Sequence, residues 1–104
     1  MSRNHIYYIN IMSKITVFCG RECPDCISMQ PTIDRLINEG VEFEQLEVWH
    51  DEKNAEEMQK YEKIIKEASG GNMPTPTFLD KTANRVICGQ MSYDKLKKWI
   101  NKEE

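Results

Sequence analysis

The sequence predicts a single α/β domain, built as a mixed four-stranded sheet in the order β-α-β-α-β-β-α with helices on both faces. Three observations predict it. Short β-branched and aromatic runs alternate with longer segments of helical period. Glycine and proline stand at most of the changeovers. The 104 residues, 39% hydrophobic and 30% charged, supply one core of several packed elements and not two.

The first element is Ile15 to Phe18, a short apolar run that ends in Cys19 and Gly20 and reads as a buried strand. Pro24 opens a helix where its missing N–H costs nothing. Ile27, Ile33, Leu36 and Ile37 carry that helix toward Gly40, and Pro31 inside it is expected to kink it. Glu42, Glu44 and Glu47 then interleave with Val41, Phe43, Leu46 and Val48, the roughly alternating pattern of a second strand. Asp51 or Asn54 caps one long helix, with Ala55, Met58, Tyr61, Ile65 and Ala68 on one face, running to Ser69 before Gly70 and Gly71. Thr77 to Leu79 and Arg85 to Cys88 are two short strands around a turn at Asp80 to Asn84. Ser92 or Asp94 caps a last helix through Leu96, Trp99 and Ile100. The first two strands are joined by a helix and should be parallel; the last two are joined by a turn and should be antiparallel.

Residues 1–13 form an N-terminal extension to the domain at 14–104, either an added outer strand or a loose tail. Arg3 and the run Ile6 to Ile9 resemble the start of a signal peptide, but Asn10 interrupts it, Lys14 follows, and no small-residue cleavage site appears. Met12 and Ser13 would also serve as an alternative beginning. The expectation is a cytoplasmic protein whose four cysteines are thiols unless chemistry intervenes. Fourteen basic against seventeen acidic residues give a net charge of -3, which argues against a nucleic-acid partner. No apolar stretch approaches the roughly 20 residues of a membrane span.

Chemistry concentrates at Cys23-Pro24-Asp25-Cys26, a C-x-x-C motif between a strand and a helix. The helix N-terminus presents unpaired N–H groups and partial positive charge, which favour thiolate at Cys23. The spacing puts Cys26 one turn on, within reach of Cys23 and expected to be the more buried of the two. Attack by Cys23 on a disulfide would give a mixed disulfide that Cys26 resolves. Nearby charge is mixed, with Arg21 favouring the thiolate while Glu22 and Asp25 oppose it.

On these residues the chain resembles the thioredoxin/glutaredoxin superfamily, over about residues 14 to 102. Pro31 matches the helix proline of thioredoxins, and Gly89 matches the glycine before the last helix. Pro76-Thr77-Phe78 resembles the segment whose cis-proline faces the active site. The resemblance implies a cis Thr75–Pro76 bond, with Pro24, Thr75 and Pro76 as the substrate-binding surface and Cys23 and Cys26 as the catalytic pair. It implies a thiol–disulfide oxidoreductase acting as a monomer on a disulfide-containing protein or a glutathione-type thiol. A reductase or thiol would supply electrons, and no tightly bound cofactor would be needed. The chain also departs from both patterns. Glu22 and Pro24-Asp25 replace parts of Trp-Cys-Gly-Pro-Cys, and Val17 stands where thioredoxins bury an aspartate. Pro74-Thr75-Pro76 replaces the Thr-Val-Pro of glutaredoxins. Cys88-Gly89-Gln90-Met91-Ser92 replaces their Gly-Gly-x-Asp glutathione clamp.

Two other readings of the cysteines stay open at this point. Cys19, Cys23 and Cys26 with Cys88 would make a tetrathiolate for zinc or an iron–sulfur cluster, if the strands bearing Cys19 and Cys88 came together. A thioredoxin-like module could also bind a protein partner with the pair idle. The simpler expectation is no metal, with Cys19 and Cys88 as small buried side chains. His50 and Trp49 read as surface or cap residues, and Met73 and Met91 as residues of the two loops that border the pair.

Overall fold

In the computed structural model, which describes residues 14–102, four strands form one sheet. They are β1 (Lys14–Cys19), β2 (Glu42–Glu47), β3 (Thr77–Asp80) and β4 (Arg85–Cys88), in the spatial order β2-β1-β3-β4. As expected, β1 and β2 are parallel, with Lys14 opposite Glu42 and Cys19 opposite Glu47. β3 runs antiparallel to both β1 and β4. The outer strand considered for residues 1–13 lies outside the described residues.

Alternation along the strands splits the core in two. On one face, Ile15 and Val17 of β1 and Phe78 of β3 meet Met29, Ile33 and Leu36 of α1 (Pro24–Asn38) and Leu96, Trp99 and Ile100 of α4 (Tyr93–Ile100). On the other, Phe18 and Leu79 meet Met58 of α2 (Glu52–Gln59) and Ile65 of α3 (Glu62–Ser69). Burying each such side chain contributes roughly 1.5–3 kcal/mol. The helices cover both faces, as the pattern requires.

The single long helix expected up to Ser69 is instead two, α2 and α3, broken at Lys60 and Tyr61. No glycine or proline marks the break. The amides of Lys60 and Tyr61 bond three residues back, to the carbonyls of Glu57 and Met58, and tighten the chain there. Tyr61 takes φ −110° and ψ 20°. Met58, Tyr61 and Ile65 still pack on the second face, as their helical spacing predicts.

The ends of the helices follow the sequence more closely. α1 opens at Pro24 and runs through Pro31, and Gly40, at φ 104°, follows its end. The Asp51 carboxylate accepts the Asn54 N–H at 3.0 Å, and the Ser92 hydroxyl accepts the Lys95 N–H at 3.1 Å. Met73 and Met91 are half-buried and pack against the two cores. Among the described residues no helix is long and apolar enough to cross a membrane.

Candidate active site

The carboxyl ends of β1 and β2 lie side by side, and the chain leaving β1 turns directly into α1. Cys23 is the N-cap of that helix: its Sγ accepts the Cys26 N–H at 3.4 Å, in the position a serine or aspartate oxygen would fill. From the far side of the sheet the segment before β3 reaches the same sulfur. The Thr75 hydroxyl donates to Cys23 Sγ at 3.2 Å, and as a thiol Cys23 can donate to the Thr75 carbonyl at 3.5 Å. The Thr75–Pro76 peptide bond is cis. Pro76 is buried, and Pro24 is exposed at the first turn of α1.

All four cysteines are free thiols. As whole residues both are covered, Cys23 5% exposed and Cys26 7%, while desolvation bears more heavily on the Cys26 sulfur, which was expected to be the deeper of the two. Burial and hydrogen bonding together separate them. Burial works against a charged Cys23, but hydrogen bonds from Thr75, from Cys26 and from the backbone amides of the first helical turn outweigh it. Its pKa is held below the ordinary thiol value. Cys26 is pushed up to about 12, first by burial and then by its hydrogen bond to Cys23, with only partial relief from the Gly20 N–H at 3.4 Å. One proton is therefore shared unequally, with the charge on Cys23.

Replacing Thr75 with valine keeps the shape and removes the hydroxyl donor. A hydrogen bond to a charged group contributes about 1.5 kcal/mol, so Cys23 alkylation at pH 7 should slow by about tenfold. Its pH profile should move to higher pH, which iodoacetamide kinetics would read.

The raised pKa of Cys26 has a consequence for stability. Between the unfolded value of about 9 and the folded value of about 12, the unfolded chain loses this proton first. The stabilisation is fully present below the unfolded value and is lost as pH rises through the window. The reduced protein should therefore lose melting temperature from pH 9 upward more steeply than Cys26→Ser does, as thermal melts across that range would show.

Glu47 at the end of β2, with Trp49 and His50 just after it, holds the loop that precedes Cys23, a role the sequence did not suggest. One Glu47 carboxylate accepts the backbone N–H of Arg21 at 2.9 Å, of Trp49 at 3.1 Å and of His50 at 2.8 Å. Burial pushes the Glu47 carboxyl up, but these three bonds hold it below the usual carboxylate range. His50 is exposed, as expected, and its Nε2 lies 2.7 Å from the likewise exposed Glu22 carboxylate. Trp49 lies over Gly20, where a Cβ would come within 2.3 Å of the indole ring, so this approach requires glycine. The signal for these contacts was the parallel pairing of Cys19 with Glu47, which sets the two loops side by side. Glu47→Ala should lower the melting temperature and speed amide exchange at Arg21, Trp49 and His50. Glu47→Gln, which keeps an acceptor, should do so less.

The tetrathiolate does not assemble. Cys19 packs with the first core and Cys88 with the second, on opposite faces of the sheet, and β3 lies between their strands. Among the described residues no three histidine, cysteine or acidic groups are placed to hold a metal ion. A hollow of about 810 Å³ between β4 and α4, lined by Arg85, Lys98 and Trp99, contains no cysteine.

Comparison with solved structures bears on the architecture. A thioredoxin from Fasciola hepatica superposes with a TM-score of 0.63 at 18% identity, over 98% of this chain and 91% of its own. The chain has the thioredoxin fold. A glutaredoxin from Archaeoglobus fulgidus matches that fold with a TM-score of 0.58 at 22% identity, over 89% of this chain and 91% of its own. Mitochondrial thioredoxin 3 from Saccharomyces cerevisiae gives 0.53 at 20% identity, over 96% and 89%. No family model matches the sequence, and no curated protein does. Within the thioredoxin fold, Cys23 and Cys26 stand where β1 feeds α1, with the cis Thr75–Pro76 bond beside them.

Proposed function

We propose that the protein is a thiol–disulfide oxidoreductase, in which Cys23 is the nucleophile and Cys26 the resolving thiol. The observation that carries this reading is the asymmetry of the pair: hydrogen bonds lower the pKa of Cys23, while Cys26 directly behind it is held protonated up to about 12. A thiolate attacks, and a neutral thiol one turn away waits to displace it.

The cycle follows from that division. The Cys23 thiolate attacks one sulfur of a substrate disulfide, the other sulfur leaves as a thiolate, and a mixed disulfide forms. Losing the charge on Cys23 removes one cause of the raised Cys26 pKa. Cys26 then gives up its proton and attacks Cys23 Sγ, releasing the second substrate thiol and leaving a Cys23–Cys26 disulfide. Thr75 and Pro76 form the edge against which a substrate chain docks, and Pro24 fixes the turn that presents Cys23. A disulfide-containing protein or a glutathione-type thiol is the substrate class, and a reductase or thiol restores the dithiol.

Equilibration across thiol redox buffers, alkylation of free thiols and peptide mapping test the reading. A reversible Cys23–Cys26 disulfide with a defined midpoint is expected. A pair that stays reduced under conditions that oxidise ordinary dithiols would overturn it.

A further inference from the structure

A cavity of about 280 Å³ opens behind the C-x-x-C pair, between α1 and the ends of β1 and β2. Val17, Ile33 and Pro76 give it an apolar wall, Glu47 lies at its border, and two thiols line it together, Cys19 and Cys26. Cys26 thus has two cysteine neighbours: Cys23, to which it hydrogen-bonds, and Cys19, which lines the same cavity. The separation is short. Cys26 Sγ is 3.4 Å from Gly20 N, and one Cα–C–N link of about 2.4 Å joins that nitrogen to Cys19 Cα. The Cys26 sulfur therefore lies within about 6 Å of Cys19 Cα, from which the Cys19 side chain extends into the same space. Cys19 packs at the edge of the first core, and its polar contacts are long, 3.9 Å from the sulfur to the carbonyls of Val17 and Leu46.

We propose that Cys19 is a third redox thiol, which exchanges with the Cys23–Cys26 disulfide to give a Cys19–Cys26 disulfide and a free Cys23. This rests on the oxidoreductase reading, since that cycle supplies the starting disulfide. The Cys19 thiol loses its proton to solvent and attacks Cys26 Sγ. The Cys19–Cys26 bond forms, the Cys26–Cys23 bond breaks, and Cys23 leaves as a thiolate. No external oxidant is consumed, because one disulfide replaces another. The leaving group is the favourable one: Cys23 has the lowered pKa, whereas burial and the Glu47 carboxylate raise that of Cys19. The product holds its resolving thiol locked away and displays Cys23 alone. In that state the protein can still form a mixed disulfide at Cys23 but cannot resolve it internally. Cys19 thereby converts a dithiol catalyst into a single-thiol one until a reductant reopens the bond.

Tryptic mapping distinguishes the two disulfides, since Cys19 lies in peptide 15–21 while Cys23 and Cys26 share peptide 22–35. The full chain and its Cys23→Ser variant are oxidised with excess oxidised dithiothreitol, quenched with acid, alkylated and digested. Free peptide 15–21 should be depleted from both oxidised digests, replaced by a pair linked to peptide 22–35, and restored by reduction. In the unmodified protein the linked pair should carry the alkyl group on Cys23. A Cys23–Cys26 disulfide in the unmodified protein, with no linked pair there or in Cys23→Ser, would overturn the role of Cys19 and leave the oxidoreductase reading intact. Absence of every disulfide would overturn both.

Discussion

Cys26→Ser is expected to stop turnover after a single attack, leaving the substrate bonded to Cys23. The lowered Cys23 pKa depends partly on the hydrogen bond from Cys26, and a serine hydroxyl can still donate one. Attack therefore survives the substitution, whereas release does not, because serine cannot displace a disulfide sulfur. Incubation with a disulfide substrate should accumulate a stoichiometric adduct in the intact mass, removable by dithiothreitol, while multiple-turnover activity falls to background. Cys23→Ser should lose activity and form the adduct far more slowly than Cys26→Ser, since burial, the first cause of the raised Cys26 pKa, still keeps that thiol mostly protonated at pH 7. If Cys26→Ser kept full turnover, Cys26 would not be the resolving thiol. If Cys23→Ser formed the adduct the faster of the two, the roles would be exchanged.

The second large effect concerns Phe78, fully buried on β3 two residues beyond Pro76. It sits opposite Val17 of β1 and Ile87 of β4, and packs in the core that also holds Met29 and Ile33 of α1. Phe78→Ala should cost about 3–5 kcal/mol through lost burial and the cavity left behind. A domain of this size has about 5–15 kcal/mol in total, so much of its stability would go. Denaturant titration should show the midpoint falling with little change in slope. β3, which Thr75 precedes, and α1, which Cys23 caps, share this core. Cys23 alkylation should therefore slow in the same variant. A loss below 1 kcal/mol would mean that the site can collapse around the missing ring.

Much of this architecture was legible because its signals are local. β1 and β4 are β-branched runs bounded by glycine or turn residues, and α1 carries its start signal in Pro24 and its stop in Gly40. The C-x-x-C pair needed only a strand before it and a helix after it to be read as a redox site. The division of α2 from α3 was not legible, because no glycine or proline marks Lys60 or Tyr61 and the apolar spacing runs on unbroken across them. The part played by Glu47, Trp49 and His50 was equally hidden. Each is unremarkable in sequence, and each acquires its contact from a loop more than twenty residues away.

The sequence by itself determined the four strands, the parallel sense of the first two and the antiparallel sense of the last two, and the placing of Cys23 and Cys26 at a helix N-terminus. Those features follow from periodicity, capping and the length of the connections, all of which act between near neighbours along the chain. Only the tertiary structure supplied the further donor to Cys23, a hydroxyl from Thr75 brought across 52 residues of chain to within 3.2 Å of the sulfur. It likewise set Cys19 and Cys26 on one cavity, and put Cys88 across the sheet from them. Hydrogen bonds and desolvation act over a few ångströms of space, and sequence distance does not measure that.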